Sequence, residues 1–396
     1  MRILVFQTTR MGDMLQTSPL VNAIRRKYPD AHITALVRGM SRTVAERHPD
    51  IGDVIVYDED GMYLDLCAKD SDRLLKAYER AEDYIRLLQN PPQDMAYNCT
   101  HSLASAMLLK MAEIPEVVGA HLSGDWQFVL RGHWPAYFFT SVFHREYNDL
   151  NLCDITCRFV TDVPPSQRLF FDVRGEDRTF VDALFAEHGV GPDDFVACFQ
   201  LGASEENKRW PETHFAELAR LLKAKYQAKI FLLGVKDEAR LGEVFEQHAP
   251  GLAVPLYGKT SIPQVAALLE RTRVLVTNDT GTMHIAAAVG CPIALVSVGY
   301  VHFRETGPYG PGHCAIERRR ARTGEASRTR DDLDERTRLR ADQVMRTVEL
   351  VLSVDSGQPI TQIEESPELA DADLFVTRFA PDGCLQWYPA KIGRAH

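Results

Sequence analysis

The chain has 396 residues, 45% of them hydrophobic and 25% charged, with a net charge of −10. That length favours two domains, and the composition is globular, which excludes fibrous, collagen-like and wholly disordered chains. The acidic balance argues against a nucleic-acid partner but leaves room for a local basic cleft that takes a phosphorylated ligand.

Arg2–Gln7 (RILVFQ) reads as a short buried strand that turns at Met11-Gly12 into a helical stretch through Leu20, Ile24 and Tyr28. The apolar start, only Ile3 to Phe6, is too short for a signal peptide, and no run approaches the ~18 apolar residues that span a bilayer. A cytoplasmic protein is expected. Arg25-Arg26-Lys27 fits either a peripheral contact with the inner membrane or a solvated helix end. His32–Val37 and Val54–Val56 are further strands, so the chain opens as a parallel α/β sheet with ligands at strand C-termini. Between Asp58 and Gln93, the spacing of Leu74, Tyr78, Ala81, Ile85 and Leu88 predicts one amphipathic helix. Glu79, Glu82 and Asp83 interrupt its basic residues, which favours a cover for the sheet over a membrane anchor.

Asp125–Phe143 is rich in aromatics, as a core segment or an acceptor groove would be. The eight cysteines include no CxxC pair; Cys153 and Cys157 read as reduced core residues sharing a helix face, and no metal is expected. Prolines and polar residues over Asp162–Asp177 mark a domain crossing. The α/β pattern then restarts, with strands at Phe195–Leu201, Lys229–Gly234, Val274–Thr277 and Ile293–Val298 and helices at Pro211–Lys225, Ile262–Glu270 and Met283–Val289. Two such halves imply two Rossmann-like, doubly wound domains facing across a cleft. Glu317–Asp342, with nine arginines against seven acidic residues, reads as a solvated segment. Gln343–Leu352 is a closing helix, and Ala380-Pro381-Asp382-Gly383 between two strand-like runs predicts a hairpin. The expected division is 1–165 (with an insertion at 58–93), 166–353, and an extension over 354–396.

Three stretches carry chemistry, each between a strand and a helix. In Thr8–Asp13, Gly12 permits a close backbone approach or a positive φ, and Asp13 is either a helix N-cap or a catalytic carboxylate. In Gly202–Pro211, Lys208 and Ser204 suit a diphosphate, although the loop lacks Walker spacing. In Thr277–His284, the small-residue turn at Thr280, Gly281 and Thr282, before Met283, aims N–H groups at one point, as a phosphate site does. Asp279 at the strand end is placed either to meet ribose hydroxyls or to cap the helix, with His284 packed beneath.

Met11-Gly12-Asp13 with Thr17-Ser18-Pro19-Leu20, then Lys208-Arg209-Trp210-Pro211, then Asp279-Thr280-Gly281 with His284–Ala288 and Gly290-Cys291-Pro292 resemble glycosyltransferase family 9, the ADP-heptose:lipopolysaccharide heptosyltransferases. The resemblance runs from Met1 to about Leu352. It implies a GT-B fold and an inverting transfer, without metal or other cofactor, from ADP-heptose to a phosphorylated glycolipid or oligosaccharide acceptor. Asp13 would be the base; Gly12, Ser204, Lys208, Thr280, Gly281, Thr282 and Met283 would surround the donor phosphates; Asp279 would hold the donor; and Thr260 and His284 would line the nucleotide pocket. Thr9, Arg10, His101 and His144 would lie on the acceptor side. The chain departs from the family pattern at Glu205 and Glu206, which crowd the diphosphate loop, and at Ser297–Phe303, which replaces Gly-Pro-Thr-Asp-Pro. Those departures keep open another nucleotide-sugar donor, or a nucleotide-sugar-binding subunit without catalysis.

Overall fold

The computed structural model describes residues 1–161, 168–299, 301–318, 339–357 and 369–390. Residues 162–167 of the proline-rich crossing, Tyr300, and 319–338 of the arginine-rich segment lie outside the described residues. The chain divides into two compact units, one of Met1–Tyr147 with Leu152–Ser166, the other of Asn148–Asn151 with Gln167–His396.

The first unit alternates strands and helices: β1 (Arg2–Gln7), α1 (Met11–Gln16), α2 (Ser18–Lys27), β2 (His32–Val37), α3 (Arg42–Glu46), β3 (Asp53–Val56), α4 (Glu59–Cys67), α5 (Ser71–Gln89), β4 (Met95–Asn98), α6 (Leu103–Met111), β5 (Glu116–Leu122), β6 (Phe128–Arg131), α7 (His133–Phe143) and α8 (Leu152–Cys157). The strands order as β3-β2-β1-β4-β5-β6, all parallel except β6, which returns antiparallel to β5. Ile3, Leu4 and Val5 of β1 are fully buried, as expected of a strand with helices on both faces. One core cluster gathers Leu4, Phe6, Leu36, Tyr57, Leu88 and Leu109.

Three segments differ from the sequence reading. The first helical stretch is broken at Thr17, where α1 ends and α2 restarts with Pro19 in its first turn, the position where a missing N–H costs nothing. The single helix expected over 58–93 is two: Lys69 takes φ +51° and Asp70 caps α5 by accepting the backbone N–H groups of Asp72 and Arg73. The aromatic stretch after Asp125 becomes an edge strand and a helix, β6 and α7. Arg25 donates to Pro29 O and Ala31 O and pairs with Asp50, and Lys27 donates to Val160 O. Those two members of the basic run are therefore engaged at the end of α2.

The second unit runs α9 (Gly175–Glu187), β7 (Val196–Gln200), α10 (Glu212–Tyr226), β8 (Lys229–Leu233), α11 (Ala239–His248), β9 (Ala253–Pro255), α12 (Ile262–Glu270), β10 (Val274–Thr277), α13 (Gly281–Ala288), β11 (Ile293–Ser297), α14 (Phe303–Thr306), β12 (Cys314–Arg318), α15 (Ala341–Asp355), β13 (Ala372–Phe379) and β14 (Leu385–Pro389). Its sheet is ordered β14-β13-β12-β11-β10-β7-β8-β9. The strands from β12 to β9 are parallel; β13 and β14 continue the sheet antiparallel. They are packed as well as paired: Phe303 lies 5.4 Å from Phe375 and 4.9 Å from Trp387, ring to ring. The helix starts obey local rules, as at α12, where Ser261 and Gln264 cap each other reciprocally. Trp210, Phe199, Phe215 and Phe245 centre the core. Seven of the eight free cysteines are buried, Cys67 being exposed. Among the described residues no helix is long and apolar enough to cross a membrane.

Candidate active site

In the first unit the site is built at the C-terminal ends of β1 and β4, which pair in parallel at Phe6 and Asn98. Asn98 is fully buried and donates to Ser105 Oγ (3.0 Å) and Ala120 O (2.7 Å), while its oxygen accepts the Thr100 N–H (3.0 Å). Thr100 Oγ1 in turn accepts the Thr8 N–H at 2.8 Å, so the loop after β1 is tied to the loop after β4. The chain then enters α1. Asp13 is the third residue of this helix, with Arg10 at its cap, and its Oδ2 accepts the Arg10 N–H at 3.0 Å. The N-cap reading of Asp13 is thus corrected: its carboxylate reaches back across the first turn, while Oδ1 accepts no hydrogen bond among the described residues. Gly12 has an ordinary helical backbone inside α1, so no positive φ explains it. Thr9 donates its hydroxyl to Gln7 Oε1 at 2.6 Å.

His101 follows Thr100 at the same edge. Its ring stacks on Phe139 (5.6 Å) and meets Phe138 edge-on (4.3 Å), and burial lowers its pKa to about 4 against a smaller raising effect of the Cys99 backbone. The imidazole is neutral at pH 7, with Nε2 buried and without a hydrogen-bond partner among the described residues. His144 stands apart, at the C-terminal cap of α7, with its ring 6.5 Å from Tyr147.

In the second unit one buried residue joins the other two motifs. Asn278 donates to Leu201 O (2.8 Å) and accepts the Trp210 N–H (2.9 Å), clamping both ends of the Gly202–Trp210 loop onto the end of β10. Arg209 closes the loop by donating to Ala203 O from Nε and Nη2, at 3.1 and 2.9 Å. Within it Ser204 is exposed, whereas Lys208 is buried, with Nζ 3.9 Å from Glu205 Oε1. One of the two crowding acids therefore partners the lysine, and the other, Glu206, is exposed. Past β11, Gly299 takes φ +66°, and a Cβ there would stand 2.4 Å from Asn207 O, so the substituted 297–303 loop presses directly on the lysine loop.

The third motif opens α13. Its N-cap is Thr280, not Asp279, and Thr280 makes no side-chain cap bond. Asp279, Thr280, Gly281 and Thr282 are half-buried around this turn; Met283 and His284 are buried behind it. Thr282 Oγ1 donates to Gln200 Oε1 (3.0 Å), and Gln200 Nε2 donates to Glu238 Oε2 (3.2 Å). Thr260 is half-buried in the turn between β9 and α12.

Gln200, Glu238, Asn278 and Asn98 have no role in the sequence reading, although Asn278 lies within the third stretch. For Glu238 the fold makes room: a Cβ on Gly202 would sit 1.7 Å from its Oε1, and one on Gly234 2.6 Å from its Oε2. Next to it, burial and then the charges of Glu238 and Glu212 push the Tyr257 phenol well up. Among the described residues no group of three or more His, Cys, Asp or Glu side chains is arranged to hold a metal ion.

A family model described as glycosyltransferase family 9 (heptosyltransferase) matches residues 83–330. The chain is 26% identical over 318 residues to lipooligosaccharide heptosyltransferase 2 of Haemophilus ducreyi, covering 75% of this chain and 83% of that one. It is also 26% identical over 307 residues to lipopolysaccharide heptosyltransferase 2 of Escherichia coli, covering 74% and 81%. Among solved structures, a family 9 glycosyl transferase from Veillonella parvula superposes with a TM-score of 0.72 at 20% identity, covering 89% of this chain and 97% of that one. An E. coli heptosyltransferase solved with ADP gives a TM-score of 0.63 at 20% identity, covering 89% and 100%.

Proposed function

The chain belongs to glycosyltransferase family 9, the heptosyltransferases, and has the GT-B fold; from that premise we propose that it transfers heptose from ADP-heptose to a hydroxyl of a lipopolysaccharide core sugar or related glycan. In this reading the acceptor is a phosphorylated glycolipid or oligosaccharide met at the cytoplasmic face of the inner membrane. The acceptor oxygen attacks the anomeric carbon as the bond to the diphosphate oxygen breaks, ADP leaves with the electron pair, and a single displacement inverts the anomeric centre. Asp13 takes the hydroxyl proton; its Oδ1 accepts no hydrogen bond among the described residues, and its Oδ2 is steadied by the Arg10 N–H.

The observation that carries the donor half is the Asn278 clamp, which holds the Lys208 loop against the start of α13. Lys208, the Ser204 hydroxyl and the first amides of α13 then meet a departing diphosphate with fixed positive charge and dipoles, which is how a site without a metal neutralises such a leaving group. Asp279 and Thr260 contact the nucleoside side of the donor. Release of ADP from ADP-heptose with lipopolysaccharide-core acceptors tests the proposal; no turnover with any of them refutes it. A second donor is favoured by one observation, the contact of Gly299 with Asn207, because it puts the substituted 297–303 loop on the diphosphate loop. Thermal shifts with ADP-, UDP- and GDP-sugars separate the donors, since a ligand at a hundred times its dissociation constant stabilises by about 2.7 kcal/mol.

A further inference from the structure

Beside the outer edge of the first sheet lies a cavity of about 510 Å³, within the roughly 300–1,000 Å³ of small-molecule sites. It opens between the C-terminal end of α6 and the β5–β6 hairpin, and β4 separates it from β1 and the Asp13 loop. Leu109, Val117 and Leu122, all buried, give it an apolar floor. At its mouth Trp126 is 58% exposed and stands at φ +63°, a region that bulky residues rarely occupy. Glu113, which also lines the cavity, stands at φ +56°. Backbone of this kind persists where its surroundings fix it, and it clusters at ligand clamps. The Trp126 turn is fixed: the Ser123 N–H donates to Gln127 O (2.9 Å), and Ser123 Oγ accepts the Gln127 N–H (3.0 Å).

The polar groups around the indole select the ligand. Lys110 Nζ lies 6.0 Å from the centre of the Trp126 ring and enters no ion pair among the described residues. Arg131 adds a second cation, held only loosely by Glu116 at 3.8 Å. His121 Nδ1 donates to Gly119 O at 3.2 Å, which leaves Nε2, with the Glu113 carboxylate, to accept hydroxyl groups. An exposed aromatic face, two cations and two hydroxyl acceptors over an apolar floor match a pyranose ring that carries one anionic substituent. The C–H groups of one sugar face pack on the indole, the acceptors take hydroxyls, and the cations take a phosphate or carboxylate. We propose that this cavity binds a phosphorylated or acidic sugar residue, apart from the site of transfer. That the anion is borne on a sugar rests on the transfer proposed above; the test reads binding and not turnover, so the two can fail separately.

Saturation-transfer NMR on the full chain, with glucose 6-phosphate and glucuronic acid each titrated to about 10 mM, tests this. Both should bind, with the strongest transfer to protons on one face of the ring, and glucose should bind more weakly by roughly fivefold. Trp126→Gly, which gives the turn the residue its φ favours, should abolish the signal and melt no lower than the wild type. Lys110→Ala should weaken binding by roughly fivefold, and Lys110→Arg should keep it. The proposal is overturned if neither sugar binds, if binding survives Trp126→Gly, or if AMP occupies the Trp126 face in place of the sugars. Once binding is established, kinetics with a lipopolysaccharide-core acceptor separate its sources. A raised acceptor KM at unchanged kcat in Trp126→Gly identifies a sugar of the acceptor itself, and an unchanged KM identifies a free sugar phosphate or sugar acid.

Discussion

The side chain of Asn278 accepts the Trp210 N–H at 2.9 Å and donates to the Leu201 carbonyl at 2.8 Å, so one buried amide fixes both the start and the end of the lysine loop. Asn278→Ala leaves a buried donor and a buried acceptor without this partner. The expected loss is about 1–3 kcal/mol of stability, with a raised KM for the donor, read from thermal melts and initial rates. A variant with wild-type stability and KM would show that the loop holds itself.

Asp13 is tested best by Asp13→Asn. The amide oxygen can still accept the Arg10 N–H, so α1 keeps its first turn while the proposed base is lost. The expected outcome is a kcat lower by roughly 10²–10⁴ with an unchanged melting midpoint. Retained turnover would remove Asp13 from the mechanism.

Glu205 Oε1 lies 3.9 Å from Lys208 Nζ, so in the proposed site it would compete with the donor for the lysine. Glu205→Gln should tighten ADP binding by up to roughly fivefold, the scale of a part-exposed ion pair. Calorimetric titration with ADP, repeated in the Lys208→Ala background, where the gain should vanish, checks the coupling.

Gly299→Ala strains the backbone at φ +66° and drives a methyl group towards Asn207 O. A cost of about 1–3 kcal/mol is expected, with a weaker response to ADP in thermal shift. An unchanged ADP response in the destabilised protein would detach the 297–303 loop from the donor site.

His313 is buried, and desolvation lowers its pKa to about 4 from 6.5. Below pH 6.5 the unfolded chain takes up the proton that the folded one refuses. Its contribution, on the order of 3 kcal/mol, is therefore complete above pH 6.5 and is lost as pH falls towards 4. His313→Gln should flatten that part of the stability profile; superimposable wild-type and variant curves from pH 7 to about 4 would contradict it.

The parallel strands were legible because burial on both faces leaves uninterrupted apolar runs, as in RILVFQ and VLVT. The three motif loops were legible for a related reason, small residues and charge at strand ends. The clamp was not. Asn278 looks like any turn residue until β10 is known to lie beside β7, and strand order is a property of long-range packing that local spacing does not carry. Glu238 was hidden in the same way among surface acids, its place visible only in the space left by Gly202 and Gly234. The break at Lys69 escaped because the residues whose spacing suggested the helix, Leu74 to Leu88, all lie in α5 and carry no information about α4.

The strands β13 and β14 bear on where this protein can be cut. The family model's match ends at residue 330, and a chain trimmed after α15 would look like a complete domain. It would instead leave the row of N–H and C=O groups on β12 without the partners that Leu374, Phe375 and Val376 supply, and would strip Phe303 of both its aromatic neighbours. Such an open edge is a template for stacking one molecule on the next. For this member the minimal unit extends at least to Pro389, and a shortened version would be recovered as aggregate.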